Sequence, residues 1–301
     1  MDRRTETTRA TRTLIPGLLV SGAAVVALVA FADPARALQV LLSARPAELA
    51  ASVAVFTVAL AGRAATSREL VDGRTGLGGA FAALNIGYLT NNILPLRIGE
   101  AVRAVVLGRK TELGFVGGAT AVAAERMLDL VMAATILLAG VSAVGVRTGW
   151  TSAAIAASAA VVGVIVIVMI ARRRHAIAGW LEPKLGRWPL LAGLLPRLTT
   201  ALDGLARPRR IVRAAVILGA SWALAVVFFW LVLRAFIPQA PLSWAAFGLG
   251  VMAFGIALPS SPGAIGVYEA AWVGALVLCG ADSADALAFA VAAHALTFSI
   301  T

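Results

Sequence analysis

The chain of 301 residues is 60% hydrophobic, has a mean hydropathy of +0.90, and carries charge on only 14% of its residues. Soluble domains carry about 25% charged residues, so this composition excludes an ordinary soluble fold and predicts an all-α integral membrane protein. The net charge of +11 would indicate nucleic acid binding in a soluble chain. Here the arginines lie between apolar runs, as the positive-inside rule predicts, and we expect no nucleic-acid partner.

Apolar runs bounded by charge, proline or glycine predict about seven to eight hydrophobic segments within a single polytopic domain, 1–301. In the first half, residues 1–171, we expect spans over 14–31, 47–65, 116–144 and 153–170, and an interfacial amphipathic stretch over 37–44. The segment over 77–94 begins as a span and breaks near residue 91, and a short helix over 98–107 follows it, so that the two form a re-entrant hairpin. In the second half, residues 211–301, we expect apolar segments over 211–233, 244–258, 265–279 and from 284 onward. The last segment ends early, which indicates a short or truncated final helix.

The first apolar run allows two interpretations. Arginines precede it, and Ala35-Arg36-Ala37 resembles a cleavage site, which is typical of a signal peptide. The run over 14–31 is long for a signal peptide, however, and many further spans follow. An uncleaved first helix is therefore favoured.

A basic linker over residues 172–210 separates the two halves. Its arginines indicate a cytoplasmic loop, and Trp180 and Trp188 fit a membrane-surface amphipathic helix equally well. The N-terminus and the loop over 63–74 are also basic, whereas the connections near 149, 238 and 282 carry little positive charge. This pattern predicts a multi-pass inner-membrane protein with a cytoplasmic N-terminus.

Two broken segments interrupt the apolar pattern, one near 91–99 and one near 258–266. Each contains Pro-x-x-Ile-Gly followed by a glutamate, and their expected hinge residues are Pro95, Gly99, Pro259, Pro262 and Gly266. Proline removes a backbone donor and glycine loosens a helix, so both segments should unwind. Unwound backbone at membrane depth must be buried in protein or line a cavity. Paired re-entrant breaks are typical of transporters built from an inverted repeat around a central site.

Charged groups at membrane depth cost about 2.5–3.5 kcal/mol each, which makes them functional candidates. We expect an anionic head group to be bound by polar groups beside the breaks: Arg97, Arg103, Arg126, Asn85, Asn91, Asn92, Ser260, Ser261, Gly263 and Tyr268. A guanidinium suits phosphate, and a helix that starts after either break adds free amides. Four acids are expected to balance charge or couple movement to protons: Glu100, Glu125, Asp129 and Glu269. The alternative is a set of structural ion pairs that fix the register of the helices.

Together these motifs resemble the transmembrane region of lysylphosphatidylglycerol synthases, which defines a wider family of flippase-like membrane proteins. The resemblance rests on Leu94-Pro95-x-Arg97-x-Gly99-Glu100-x-x-Arg103, Glu125-Arg126-x-x-Asp129 and Pro259-x-x-Pro262-Gly263-x-Ile265-Gly266-x-x-Glu269. It covers about residues 10–301. It implies a bacterial or archaeal inner-membrane protein that moves lipids or lipid-linked sugars between leaflets. The aminoacyl-transferase domain of the bifunctional synthases has no counterpart here, so lysine transfer is not expected.

The leading hypothesis is a lipid flippase or transporter rather than an enzyme. Its partners would be membrane lipids, either an anionic phospholipid or a polyprenyl-phosphate-linked species, and small-residue spacing allows a homo-oligomer. We expect no catalytic residue, no metal and no cofactor, because the sequence has no Walker A motif, no Cys/His cluster and no nucleophile arrangement. Two alternatives stay open: a membrane-embedded lipid-modifying transferase, and a non-transporting scaffold of an envelope biosynthesis complex.

Overall fold

The computed structural model describes residues 3–94, 98–144, 207–256 and 260–301, together with scattered residues between 158 and 180, and gives side chains from residue 16 onward. The four continuous ranges contain no strand. They hold a short 3₁₀ turn, Pro262–Ala264, and these α-helices: α1 (Arg3–Phe31), α2 (Pro34–Leu42), α3 (Pro46–Leu70), α4 (Leu77–Ile93), α5 (Gly99–Lys110), α6 (Gly114–Ala143), α7 (Pro208–Phe236), α8 (Leu242–Gly255), α9 (Val267–Leu278) and α10 (Ser283–Ile300). The predicted all-α class is confirmed.

Four of the described helices, α3, α6, α7 and α10, are long and apolar enough to cross a membrane. The apolar part of α1 and the whole of α2 would form a fifth span, bent by 83° where they meet. A multi-pass membrane protein is therefore confirmed. The predicted number of seven to eight segments is not confirmed, because α8 and α9 are shorter and the predicted span over 153–170 lies mostly outside the described residues. The membrane orientation, the inner-membrane location and the division into halves stay predictions.

Proline starts several of these helices at the positions that the sequence indicates. Pro34, Pro46 and Pro208 occupy the first turns of α2, α3 and α7, where a missing N–H leaves no helical hydrogen bond unmade. The Asp33 carboxylate accepts hydrogen bonds from the first amides of α2, at 3.0 and 3.1 Å, and so caps this helix directly after the bend from α1.

The core lies around α7, which packs along most of α3 and also contacts α8 and α10. Aromatic rings connect these helices. Phe228 of α7 lies 4.5 Å from Phe56 of α3, measured between ring centroids, and Phe229 lies 4.7 Å from Trp272 of α9. Trp272 in turn meets Phe289 of α10 edge-on at 4.9 Å. This apolar contact holds both halves of the sequence in one core.

The first break folds α5 back against α4. A Cβ atom on Gly99 would lie 2.1 Å from the carbonyl oxygen of Gly87, so only glycine permits this approach. The Asn91 side chain bridges the break, since its Oδ1 accepts a hydrogen bond from the Gly99 N–H at 2.8 Å. Of the predicted hinges, Gly99 begins α5, and Pro95 lies outside the described residues.

The second break contains the 3₁₀ turn between α8 and α9. Pro262 begins this turn, and Gly263 and Gly266 have φ angles of 67° and 86°, in the left-handed region that favours glycine. Pro259, a further predicted hinge, lies outside the described residues. Helix α4 packs against the 3₁₀ turn, so the two broken segments are neighbours in the fold.

Two glycines allow α6 and α8 to cross closely, and this contact yields a stability prediction. A Cβ on Gly250 would lie 2.6 Å from the Leu137 Cα, and one on Gly140 would lie 2.5 Å from the Phe247 Cα. We expect Gly250→Ala to lower stability by about 1–3 kcal/mol, because backbone cannot move aside as a flexible side chain can. Thermal unfolding in detergent measures the effect.

Gly274 of α9 provides the matched control, because a Cβ there meets no atom within 4 Å. Gly274→Ala should leave the melting temperature unchanged or raise it, since alanine favours a helix by up to about 1 kcal/mol over glycine. Equal melting temperatures for the two variants would contradict the close crossing of α6 and α8.

Candidate functional site

A network of ionised side chains links α3, α5 and α6. It consists of three arginines and three acids, so its formal charge is zero: Arg63, Arg103, Arg126, Glu100, Glu125 and Asp129. Helix α3 supplies one arginine, α5 supplies an arginine and an acid, and α6 supplies the rest. Neutrality matters because charges removed from water are tolerated only when they are paired.

The innermost part of the network is a closed triangle of three buried side chains. Arg103 and Glu125 are only 3% and 1% exposed. The Arg103 guanidinium donates hydrogen bonds to the Glu125 carboxylate and to the Ser67 hydroxyl. Ser67 donates in turn to Glu125 Oε2 at 2.8 Å. Hydrogen bonds on all three sides offset part of the cost of burying this ion pair.

Asp129 connects this triangle to the rest of the core. Its Oδ2 lies 2.8 Å from Arg63 Nη2 and 2.9 Å from Arg126 Nη2. Its Oδ1 accepts a hydrogen bond from Trp222 Nε1 at 2.9 Å. One carboxylate therefore joins α3, α6 and α7, and its charge is shared between two arginines.

Arg126 and Glu100 form the outer edge of the network. Their side chains are 38% and 30% exposed, and Arg126 Nε lies 3.5 Å from Glu100 Oε2. That distance is long for a hydrogen bond, and Arg126 Nε makes none with the described residues. The Nε atom is itself buried, so another acceptor can reach this donor only if Glu100 moves aside.

An open groove of about 440 Å³ between α5 and α6 begins at this outer edge. Arg126 and Glu100 line one part of it, and its other walls are apolar: Ala101, Ala104, Phe115, Ala119, Val122 and Ala123. The groove exists because small alanine side chains line both helices. It combines an apolar surface with one incompletely paired cation.

A second polar cluster surrounds Glu269 at the start of α9. The Glu269 Oε2 accepts a hydrogen bond from the Gly266 N–H at 2.7 Å, and its Oε1 lies 2.5 Å from His294 Nδ1. The Tyr268 ring stacks on the His294 ring at 4.1 Å. Glu269 therefore occupies the helix N-terminus at which the sequence predicts a bound anion.

The remaining predicted binding residues are engaged mainly by their own helix or by neighbouring helices. The Asn91 side chain accepts the hydrogen bond of the first amide of α5. The Asn85 side chain donates to the Phe81 carbonyl within α4, and Asn92 Nδ2 lies 3.5 Å from Thr301 Oγ1. The Ser261 N–H donates to Ser21 Oγ at 2.9 Å. Ser260 lies beside α1, and Gly263 faces the Phe298 ring.

The structure thus separates the predicted site residues into two clusters. Arg103, Arg126, Glu100, Glu125 and Asp129 come together, whereas Tyr268 and Glu269 share no hydrogen bond or ion pair with them among the described residues. Arg97 lies outside those residues.

Sequence reasoning missed four members of these clusters: Arg63, Ser67, Trp222 and His294. A charged residue within an apolar run is a functional candidate, and this rule alone would have found Arg63. Ser67 lies one helical turn further along the same face. Trp222 and His294 gave no comparable signal, since their partners are distant in sequence.

Comparison with known proteins agrees with the sequence motifs. The chain matches, over residues 14–301, the protein family described as "Lysylphosphatidylglycerol synthase TM region". It is also similar to the protein named "Glycosyltransferase AglD" from Haloferax volcanii, with 28% identity over 328 aligned positions. The alignment covers 96% of this chain and 53% of that relative, so the chain spans about half of the relative's length. No solved structure matches the chain.

This comparison corrects one prediction. The expectation that the chain is not an enzyme is wrong, because a protein similar to 96% of it is named a glycosyltransferase. The missing nucleophile motif did not justify the exclusion, since the oxygen of an acceptor molecule can itself attack in a group transfer.

Burial of the Arg103–Glu125 pair yields a second prediction. Glu125→Gln leaves the Arg103 charge without its carboxylate in the interior, and we expect a loss of about 3–5 kcal/mol in stability. Glu100→Gln removes an acid of the same network whose side chain is 30% exposed, and it should cost at most about 1 kcal/mol. Chemical unfolding in detergent compares them.

The double variant Arg103→Gln/Glu125→Gln removes both charges, so it should be more stable than Glu125→Gln alone. Additive losses would show that the two side chains do not depend on each other.

Proposed function

Because the chain belongs to the lysylphosphatidylglycerol synthase transmembrane-region family, we propose that it binds the anionic head group of a membrane lipid at Arg126 and moves that lipid between leaflets. The lipid is an anionic phospholipid or a polyprenyl-phosphate-linked species. The observation that carries the proposal is the position of Arg126, an incompletely paired cation at the end of an apolar groove.

The apolar walls of the groove suit the lipid tail, and Arg126 suits the head group. Lipid tails leave an equally apolar environment when they enter it, so the apolar walls accommodate a tail without binding it strongly. Selectivity must then come from the head group. Arg126 can contribute it, because a guanidinium recognises phosphate oxygens through several directed hydrogen bonds.

Arg126 can bind such a head group while the Arg103–Glu125 and Arg126–Asp129 ion pairs stay intact. It holds Asp129 at 2.9 Å, whereas Glu100 lies 3.5 Å away and is partly exposed. A phosphate oxygen would replace Glu100, and the released carboxylate would be solvated at low cost.

The named relative favours a second candidate, lipid-linked glycosyl transfer. A protein similar to most of this chain is named a glycosyltransferase. In this candidate, Arg126 and the groove hold a lipid phosphate as acceptor or product of the transfer. The lipid site is the same in both proposals, and the reaction distinguishes them.

Liposomes that carry a fluorescent anionic phospholipid in both leaflets test the transport proposal. With wild-type protein, a quencher added outside should remove more fluorescence than the outer leaflet holds. Arg126→Gln should slow this loss about tenfold, because charge-assisted hydrogen bonds to the head group are lost. Arg109→Gln, an exposed arginine that does not line the groove, is the control. Equal rates for both variants would overturn the assignment of Arg126.

Filling the groove gives an independent test. Ala123→Phe places a ring in the space between α5 and α6 and should reduce transport severalfold. Met127→Phe adds a ring on an exposed position of the same helix outside the groove and should retain transport. Full transport by Ala123→Phe would show that the lipid uses another path.

The transfer candidate is tested with labelled nucleotide-activated sugars and polyprenyl phosphate. Label that enters the lipid fraction only with wild-type protein, and not with Arg126→Gln, would favour transfer. Transport without any labelled lipid would favour the flippase.

A further inference from the structure

A second cavity, outside the ion network, lies where α3 ends and α7 begins. Its volume is about 690 Å³. It is lined mainly by charged residues from these two helix ends: Arg68, Glu69, Asp72, Gly73, Arg207, Pro208, Arg209, Arg210 and Arg213. Neither the family description nor the relative's name assigns a role to this place.

Two ion pairs hold the cavity walls together. Arg210 pairs with Asp72, and Arg213 Nη2 lies 3.4 Å from Glu69 Oε1. Asp72 reaches its position because the chain turns sharply after α3, where Asp72 and Gly73 have φ angles of 65° and 66°. The Gly73 N–H closes this turn with a hydrogen bond to the Arg68 carbonyl at 2.9 Å.

Among the described residues that line this cavity, five arginines face two acids, which gives these residues a net charge of +3. Arg68, Arg207 and Arg209 are exposed and form no ion pair with any described acid. The first turn of α7 contains no acidic residue, so the positive end of its helix dipole adds to this field.

We propose that this arginine cavity binds a phosphate-bearing anion. The positive-inside rule explains arginines in the loops, but it does not require five of them to converge on one space. Guanidinium groups bind phosphate oxygens through paired donors, and 690 Å³ matches the volume of ligand sites in general. The phosphate is carried either by a lipid of the adjacent leaflet or by a soluble diphosphate compound. This site is independent of Arg126 and of the proposed transport.

Two binding measurements on the whole protein distinguish these sources. In nanodiscs of neutral phosphatidylcholine, calorimetric titration with inorganic pyrophosphate detects a soluble ligand. In detergent with mixed phosphatidylglycerol and phosphatidylcholine, native mass spectrometry counts the anionic lipids retained.

Both measurements compare two triple variants that remove the same charge. The first, Arg68→Gln/Arg207→Gln/Arg209→Gln, changes arginines of the cavity. The second, Arg74→Gln/Arg109→Gln/Lys110→Gln, changes exposed basic residues outside it. We expect the first to weaken binding about tenfold or more, and the second to change it at most about twofold.

Loss of pyrophosphate binding in the first variant alone supports a soluble ligand, and loss of retained phosphatidylglycerol alone supports a lipid. Equal effects of the two variants in both measurements would overturn the proposal. Glu69→Gln is a further control, because an unfolded variant could only lose binding. This substitution removes an acid from the cavity and releases Arg213 from its ion pair, so it should tighten binding. Weaker binding by folded Glu69→Gln would also contradict the site.

Discussion

The ion pair between Arg103 and Glu125 is the interaction on which the arrangement of α3, α5 and α6 depends. Both side chains are almost fully buried, and neither charge is stable there without the other. Helix α5 must therefore fold back after the first break until Arg103 reaches α6. Gly99 and Gly87 permit that return, and Ser67 of α3 completes the triangle. The groove between α5 and α6 is a consequence of this packing.

The rest of the network differs in how firmly its members are held. Asp129 is fixed by two arginines and by Trp222, whereas Arg126 and Glu100 meet at a longer distance and are partly exposed. A rigid inner part thus supports an outer pair that can exchange partners. This combination suits a protein that must bind a charged head group and release it again, because the exchange leaves the buried charges paired.

Much of the fold was predictable, because apolar periodicity, proline and glycine act locally. Most of the described helices begin and end within a few residues of the predicted bounds, although α1 begins at Arg3 rather than near residue 14. Glu125 and Asp129 lie one turn apart on α6 and share Arg63 and Arg126 as cations. Tertiary partners were not predictable in the same way. The sequence gives no sign that Trp222 or His294 contacts an acid. The backbone amides that were predicted to bind an anion instead donate to the side chains of Asn91 and Glu269.

The most direct test of the central claim is a structure of the protein in nanodiscs that contain an anionic lipid, determined with a bound antibody fragment. We predict a lipid phosphate within about 3 Å of the Arg126 guanidinium, Glu100 withdrawn from it, and the Arg103–Glu125 pair unchanged. The account would be contradicted if, at a saturating lipid concentration, the bound phosphate lay elsewhere and the Arg126–Glu100 contact were intact.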